Sequence, residues 1–209
     1  MTMKFFDINS PLNKLLTNIA DLMLVNFLFI LFSLPIVTFG ASLTAMNHVT
    51  LQMSEGKQLS IFKSFFESFK ENFKQATGLW AIVFGMNAVF FAWYIVIENM
   101  IDTNIASILR AFLYVFIVIF SMILIYLFYL QAKFENTIGE TIKNAFLMSI
   151  RHLFTTLLSL VIIGGTVIAI MFYPRVTGYG LLLVLGGFSL VSYGISFLMK
   201  RVFRHYIQT

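Results

Sequence analysis

The three histidines, His48, His152 and His205, are the first residues to weigh for chemistry. A metal site on a helix wants a second ligand three or four residues away on the same face. None of the three has one, and each reads as a loop or interfacial histidine. Glu98 and Asp102 come closest to a carboxylate pair for acid–base work. They lie four residues apart in a short connection between apolar runs, where water solvates both. There is no phosphate-binding loop, no G-x-S-x-G and no dinucleotide fingerprint. Gly164-Gly165 and Gly186-Gly187 sit inside apolar runs and read as helix contacts rather than phosphate cradles. The chain has no Cys, which removes thiolate chemistry and disulfides. The sequence therefore predicts no enzyme, no cofactor and no metal.

Transport is the next chemistry to test. Ionisable side chains deep in spans mark ion and substrate paths. Asp21 and Arg110 fall near span ends, while Asn26 and Asn87 lie deeper but are neutral and read as interhelical hydrogen-bond partners. A neutral solute would not demand buried charge, so a small transporter or channel for such a solute stands as an alternative.

The elements that would position these residues follow from composition. Of 209 residues, 59% are hydrophobic and 11% charged, against about 25% charged in a soluble domain. The mean hydropathy is +0.90. This predicts an all-α integral membrane protein forming one polytopic domain over residues 1–209. Five spans are expected, at roughly 21–39, 77–97, 105–130, 153–173 and 179–199. Ser10-Pro11 is a helix start, and Pro35 is expected to kink or end the first span, or to turn it into a re-entrant segment. The small residues Gly40, Ala41 and Ala45, and further along Gly85, Gly165 and Gly187, are expected at close helix contacts. Pro174 to Gly178 reads as a tight loop.

Two amphipathic segments, 61–76 and 138–151, accompany the spans. In the first, Phe62, Phe65, Phe66, Phe69 and Phe73 recur with helical periodicity, and Lys63, Glu67, Lys70, Glu71 and Lys74 take the other side. Such a helix lies along a membrane surface, docks on a partner, or packs on the protein's own spans. Ile61–Phe73 also aligns with Ile142–Phe154, matching Ile61, Phe65, Ser68 and Phe73 to Ile142, Phe146, Ser149 and Phe154. Each copy leads into two spans, which suggests a parallel tandem repeat.

The net charge of +5 needs no nucleic acid to explain it, because cytoplasmic loops of membrane proteins collect Lys and Arg. Ten such residues fall in the first loop, third loop and C-terminus, and four on the opposite side. This orients the C-terminus to the cytoplasm and the N-terminus outside.

Residues 26–53 and 60–80 carry an Asn at the start of a span, Ser33-Leu34-Pro35, the run from Gly40 to Ala45, Phe62 to Phe66, and Asn72-Phe73. This pattern resembles the YesL family, multi-pass membrane proteins of Gram-positive bacteria with a domain of unknown function. It covers about the first 80 residues, and Asn47 and His48 stand where an aromatic is expected. The resemblance implies a bacterial plasma-membrane location and an association with carbohydrate-uptake systems, but no activity. The expectation is a non-catalytic accessory protein whose partners are the lipid bilayer and the permease of an oligosaccharide ABC importer. In it the phenylalanine stripe makes the outward contact.

Overall fold

Helix after helix fills the described residues, as an apolar solvent requires, since backbone N–H and C=O groups must pair within each segment. The computed structural model describes residues 11–101, 103–172 and 183–207. Ser10, Asp102, the Pro174–Gly178 loop and the first residues of the fifth expected span lie outside them. The described helices are α1 (Pro11–Ser33), α2 (Phe39–Ser54), α3 (Ile61–Glu98), α4 (Thr103–Lys133), α5 (Ile138–Arg151), α6 (Leu153–Phe172) and α7 (Phe188–Ile207). A π-helical turn, Leu183–Gly187, leads into α7. Five of the helices are long and apolar enough to cross a membrane. They are α1, α3, α4, α6 and α7 with its preceding turn.

Pro35 ends the first span rather than kinking it. α1 stops at Ser33, Pro35 is extended at φ −75° and ψ 119°, and Ile36–Thr38 make one 3-10 turn. Proline cannot donate a helical hydrogen bond, and it pushes the residue before it out of the α region. Thr38 Oγ1 meets the freed carbonyls, lying 2.6 Å from Phe32 O and 2.8 Å from Pro35 O.

α2 then becomes the innermost helix, with 12 of its 16 residues buried. Gly40, Ala41 and Ala45 lie on its packed surface, all buried. A Cβ on Gly40 would fall onto Ala76 O and 2.6 Å from Trp80 Cβ, so α2 and α3 touch there backbone to backbone. Not every small residue marks a contact. Nothing lies within 4 Å of a Cβ built on Gly85 or Gly165, and both glycines are exposed. Small residues recur every four positions in many apolar helices, and spacing alone does not tell a packed face from a lipid-facing one.

The first amphipathic segment is not a separate surface helix. Residues 61–76 and the second span form one 38-residue helix, α3. The second segment is separate: α5 starts on a capping box, with Thr137 and Glu140 each bonding the other's backbone, and it breaks from α6 at His152. The two segments share part of a burial pattern, in a shifted register. Buried Ile61, Phe65, Ser68, Ala76 and Leu79 correspond to buried Thr141, Ala145, Met148, Thr156 and Ser159, each 80 residues on. The sequence identities run at 81, which pairs buried Phe65 with exposed Phe146. One residue turns a helix by about 100°, so identity and burial select different faces.

Packing is uneven along the bundle. Residues 125–132 of α4 are buried without a break, packed against α2, α3, α5 and α6 and met by side chains of α7. The far halves of α3 and α4 keep only a small cluster of Ile97, Ala106 and Leu113, and most of their side chains face outward. Cations collect at the tight end. Glu55 pairs with Lys57 and Lys133, and Lys200 Nζ donates to Ser54 O at 2.8 Å. At the open end Arg110 pairs with Glu98 at 2.9 Å.

Candidate functional site

Where α2, α4 and α7 meet, a seam of neutral polar groups is buried in the bundle. Tyr129 Oη donates to Ser192 O at 2.7 Å, and Ser192 Oγ donates to Asn47 Oδ1 at 2.9 Å. Thr50 Oγ1 lies 2.8 Å from Ser192 Oγ, and Ser196 Oγ donates to Thr50 Oγ1 at 3.0 Å. Thr50 and Ser196 also have a carbonyl of their own helix within reach, Met46 O and Ser192 O. Local bonds of this kind let α2 carry Ser and Thr into an apolar interior.

Above the seam is a cavity of about 330 Å³, bounded by Phe29 and Phe39 with side chains of α2, α4, α6 and α7. Its wall is apolar except where Asn47, Tyr129, Thr166 and Ser192 reach it. Its size lies within the range of about 300–1,000 Å³ seen for small-molecule pockets, and it has their chemistry: hydrophobic walls with few polar groups. Hydroxyls and an amide can hold and orient a neutral molecule. They offer no group that exchanges protons near neutral pH.

Asn26 is a second buried polar point. Its Nδ2 donates to Leu183 O and Val184 O at 2.9 and 2.8 Å, and its Oδ1 accepts from Ser189 N at 3.1 Å. It thereby satisfies backbone groups that the π-helical turn before α7 leaves open. Asn87 behaves differently from expectation: it is exposed and donates to Val83 O of its own helix at 2.8 Å. Leu79 and Val83 form the packed face there, and Asn87 lies beyond them.

The histidines do not converge. His48 Nδ1 donates to Ala132 O at 3.0 Å and its Nε2 accepts from Gln52 at 2.7 Å. His152 Nε2 is 3.1 Å from Tyr206 Oη, and His205 Nδ1 donates to Arg201 O. Among the described residues no three of His, Asp and Glu gather as metal ligands.

The phenylalanine stripe divides. Phe65 is fully buried and Phe69 is half-buried, and together with Phe66 they surround the Phe32 ring of α1 at 5.0 to 5.9 Å. Phe62 and Phe73 face outward, 56% and 39% exposed, beside Lys63, Lys70 and Lys74. Phe66 belongs to both sides, since the Lys70 ammonium lies over its ring, 5.8 Å from the centroid, and Phe62 packs beside it in a tilted pair.

The comparison with protein families falls on this part of the chain. Residues 22–95 match a family described as a protein of unknown function, DUF624. The matched stretch runs from Leu22 in α1 through α2 and most of α3, and so contains Asn26, Asn47, Gly40 and the divided stripe. It stops before α4 to α7, which supply the other half of the polar seam. No curated protein and no solved structure matches the chain.

Sequence reasoning missed the seam. Asn47 with Thr50, Tyr129, and Ser192 with Ser196 come from three stretches spread over 150 residues, and no local spacing links the three. The available signal was a run of Ser, Thr and Asn in a segment that still had helical periodicity, which marks a helix shielded from lipid.

Proposed function

We propose that this protein is a non-catalytic membrane accessory protein of the bacterial plasma membrane, with its C-terminus in the cytoplasm. Its partner is the permease of a carbohydrate ABC importer. The observation that carries the reading is the division of the α3 stripe. Phe65 and Phe69 anchor the helix to the protein's own core. Phe62 and Phe73, with the half-buried Phe66 between them, are left as an apolar strip bordered by lysines. An exposed aromatic strip on a rigid helix, anchored from behind, has the form of a docking element rather than of a core face. The YesL resemblance supplies the class of partner.

The test is co-purification of an oligosaccharide importer's permease with the tagged chain, together with uptake of labelled oligosaccharide in cells with and without it. Co-purification and slower uptake in the deletion strain support the reading. A normal uptake rate and no association contradict it.

A second reading is favoured by the 330 Å³ cavity above the polar seam. A neutral solute could lodge there, as in a small transporter or channel. Purified protein that moves labelled oligosaccharide across vesicles without a permease would select it over the accessory role.

A further inference from the structure

A second cavity, of about 250 Å³, opens at the cation-rich end between the α4–α5 connection, α5 and the end of α7. Arg151 is the one cation among its lining residues, and its guanidinium lies 5.7 Å from the centre of the Tyr206 ring. Tyr206 is itself fixed by His152 at 3.1 Å, so the guanidinium is held in place by a chain of contacts. Asn136 and Asn144 also line the cavity. Phe134 and Leu147 complete it with apolar surface.

Charge and shape agree at this point. Arg151, Arg201 and Arg204 make no ion pair among the described residues. The two carboxylates nearest in sequence are Glu135, which is exposed and does not line the cavity, and Glu140, which is held by Thr137 in the capping box. Burial, and after it the charges of Arg151 and His205, lower the His152 imidazole from its usual value. Outside the cavity the apolar surface continues along Leu147, Ile150 and Phe154, and Phe154 is 81% exposed. Leu147 and Ile150 lie three residues apart on α5, and Phe154 lies at the start of α6, past the break at His152.

We propose that this cavity seats the headgroup of an anionic phospholipid, with Arg151 on the phosphate, Asn136 and Asn144 on its oxygens, and an acyl chain along Leu147, Ile150 and Phe154. A planar guanidinium suits phosphate because it donates two parallel hydrogen bonds. Basic pockets between helices at the cytoplasmic edge of a membrane bind lipid headgroups. The adjoining apolar strip assigns the phosphate to a lipid rather than to a free ion. The site stands independently of the accessory role proposed above.

The test uses the full chain, purified in mild detergent and weighed intact by native mass spectrometry after exchange with phosphatidylglycerol or phosphatidylcholine. The wild-type chain should retain one phosphatidylglycerol about fivefold or more over phosphatidylcholine. Arg151→Gln should lose that preference, and Arg204→Gln, which removes an equal charge away from the cavity, should keep it. Asn144→Leu, which leaves the Arg151–Tyr206 contact in place, should also weaken retention, so the result does not depend on one variant folding well. Equal retention of the two lipids, or equal loss in Arg151→Gln and Arg204→Gln, would overturn the site. Inorganic phosphate should not displace the lipid or raise the melting temperature. A rise with phosphate that Arg151→Gln abolishes would overturn the lipid assignment in favour of a soluble anion.

Discussion

Lys133, the last residue of α4, places its Nζ 2.6 Å from Oε1 of Glu55 in the turn after α2. Lys57 takes the other carboxylate oxygen at 2.8 Å. Burial works against the Glu55 charge, but the hydrogen bonds and charges of Lys133 and Lys57 outweigh it and hold the carboxyl below its usual value of 4.5. The folded protein therefore binds this proton less readily than the unfolded chain. The stability it contributes is present above about pH 4.5 and is lost as the pH falls through the folded-state value. Glu55→Gln should lower stability by about 1.5–3 kcal/mol at neutral pH. It should also flatten the acid limb of a thermal-unfolding series in detergent. An unchanged acid limb would show that the pair does not join the helices.

Gly40 and Gly85 should respond oppositely to alanine. At Gly40 the new methyl would meet Ala76 O and Trp80 Cβ, and overpacking of this kind costs about 1–3 kcal/mol. At Gly85 there is open space, and alanine should stabilise the helix by about 0.5–1 kcal/mol. Melting temperatures of the two variants in the same detergent check the pair. Equal shifts would mean that α2 and α3 are not in backbone contact at this point.

Asn26 and Asn87 make a second contrast. Asn26→Leu would strand two carbonyls and the Ser189 N–H before α7. Hydrogen bonds inside membranes contribute roughly 0.6–2 kcal/mol, so a loss of that order is expected. Asn87→Leu removes only a bond within α3 on an exposed face and should be neutral or slightly stabilising. Detergent unfolding curves that rank the two the other way would contradict these roles.

The orientation is open to a direct check, because the chain has no native Cys. Single cysteines at Lys57 and Lys143, at the cation-rich end, should be shielded from an impermeant reagent applied outside intact cells. A cysteine at Ile101, which is 99% exposed beyond the end of α3, should label. Labelling of position 57 from outside would reverse the topology.

The spans were legible because hydropathy integrates over twenty residues, and the second half of α3, α4 and α6 carry little else. α2 was not. Ser42, Thr44, Asn47, His48 and Gln52 lower its hydropathy to that of a connection, yet it is the most buried helix. The reason is that polar groups of α2 are paired on distant helices, where sequence cannot show it: His48 with Ala132 O, Asn47 with Ser192. The stripe on α3 was legible as a face but not as a divided one. Which phenylalanines turn inward depends on Phe32, thirty-three residues before Phe65 and on another helix.

The central claim is that the outward part of the α3 stripe docks on a partner while the inward part holds the fold. It is tested most directly by comparing Phe62→Ser/Phe73→Ser with Phe65→Ala for both thermal stability and permease co-purification. Phe65→Ala should cost about 3–5 kcal/mol and lower the yield of folded protein. The outward pair should melt close to wild type and insert normally, yet lose the permease and slow oligosaccharide uptake. An outward pair that folds, binds the permease and supports uptake as the wild type does would contradict the account.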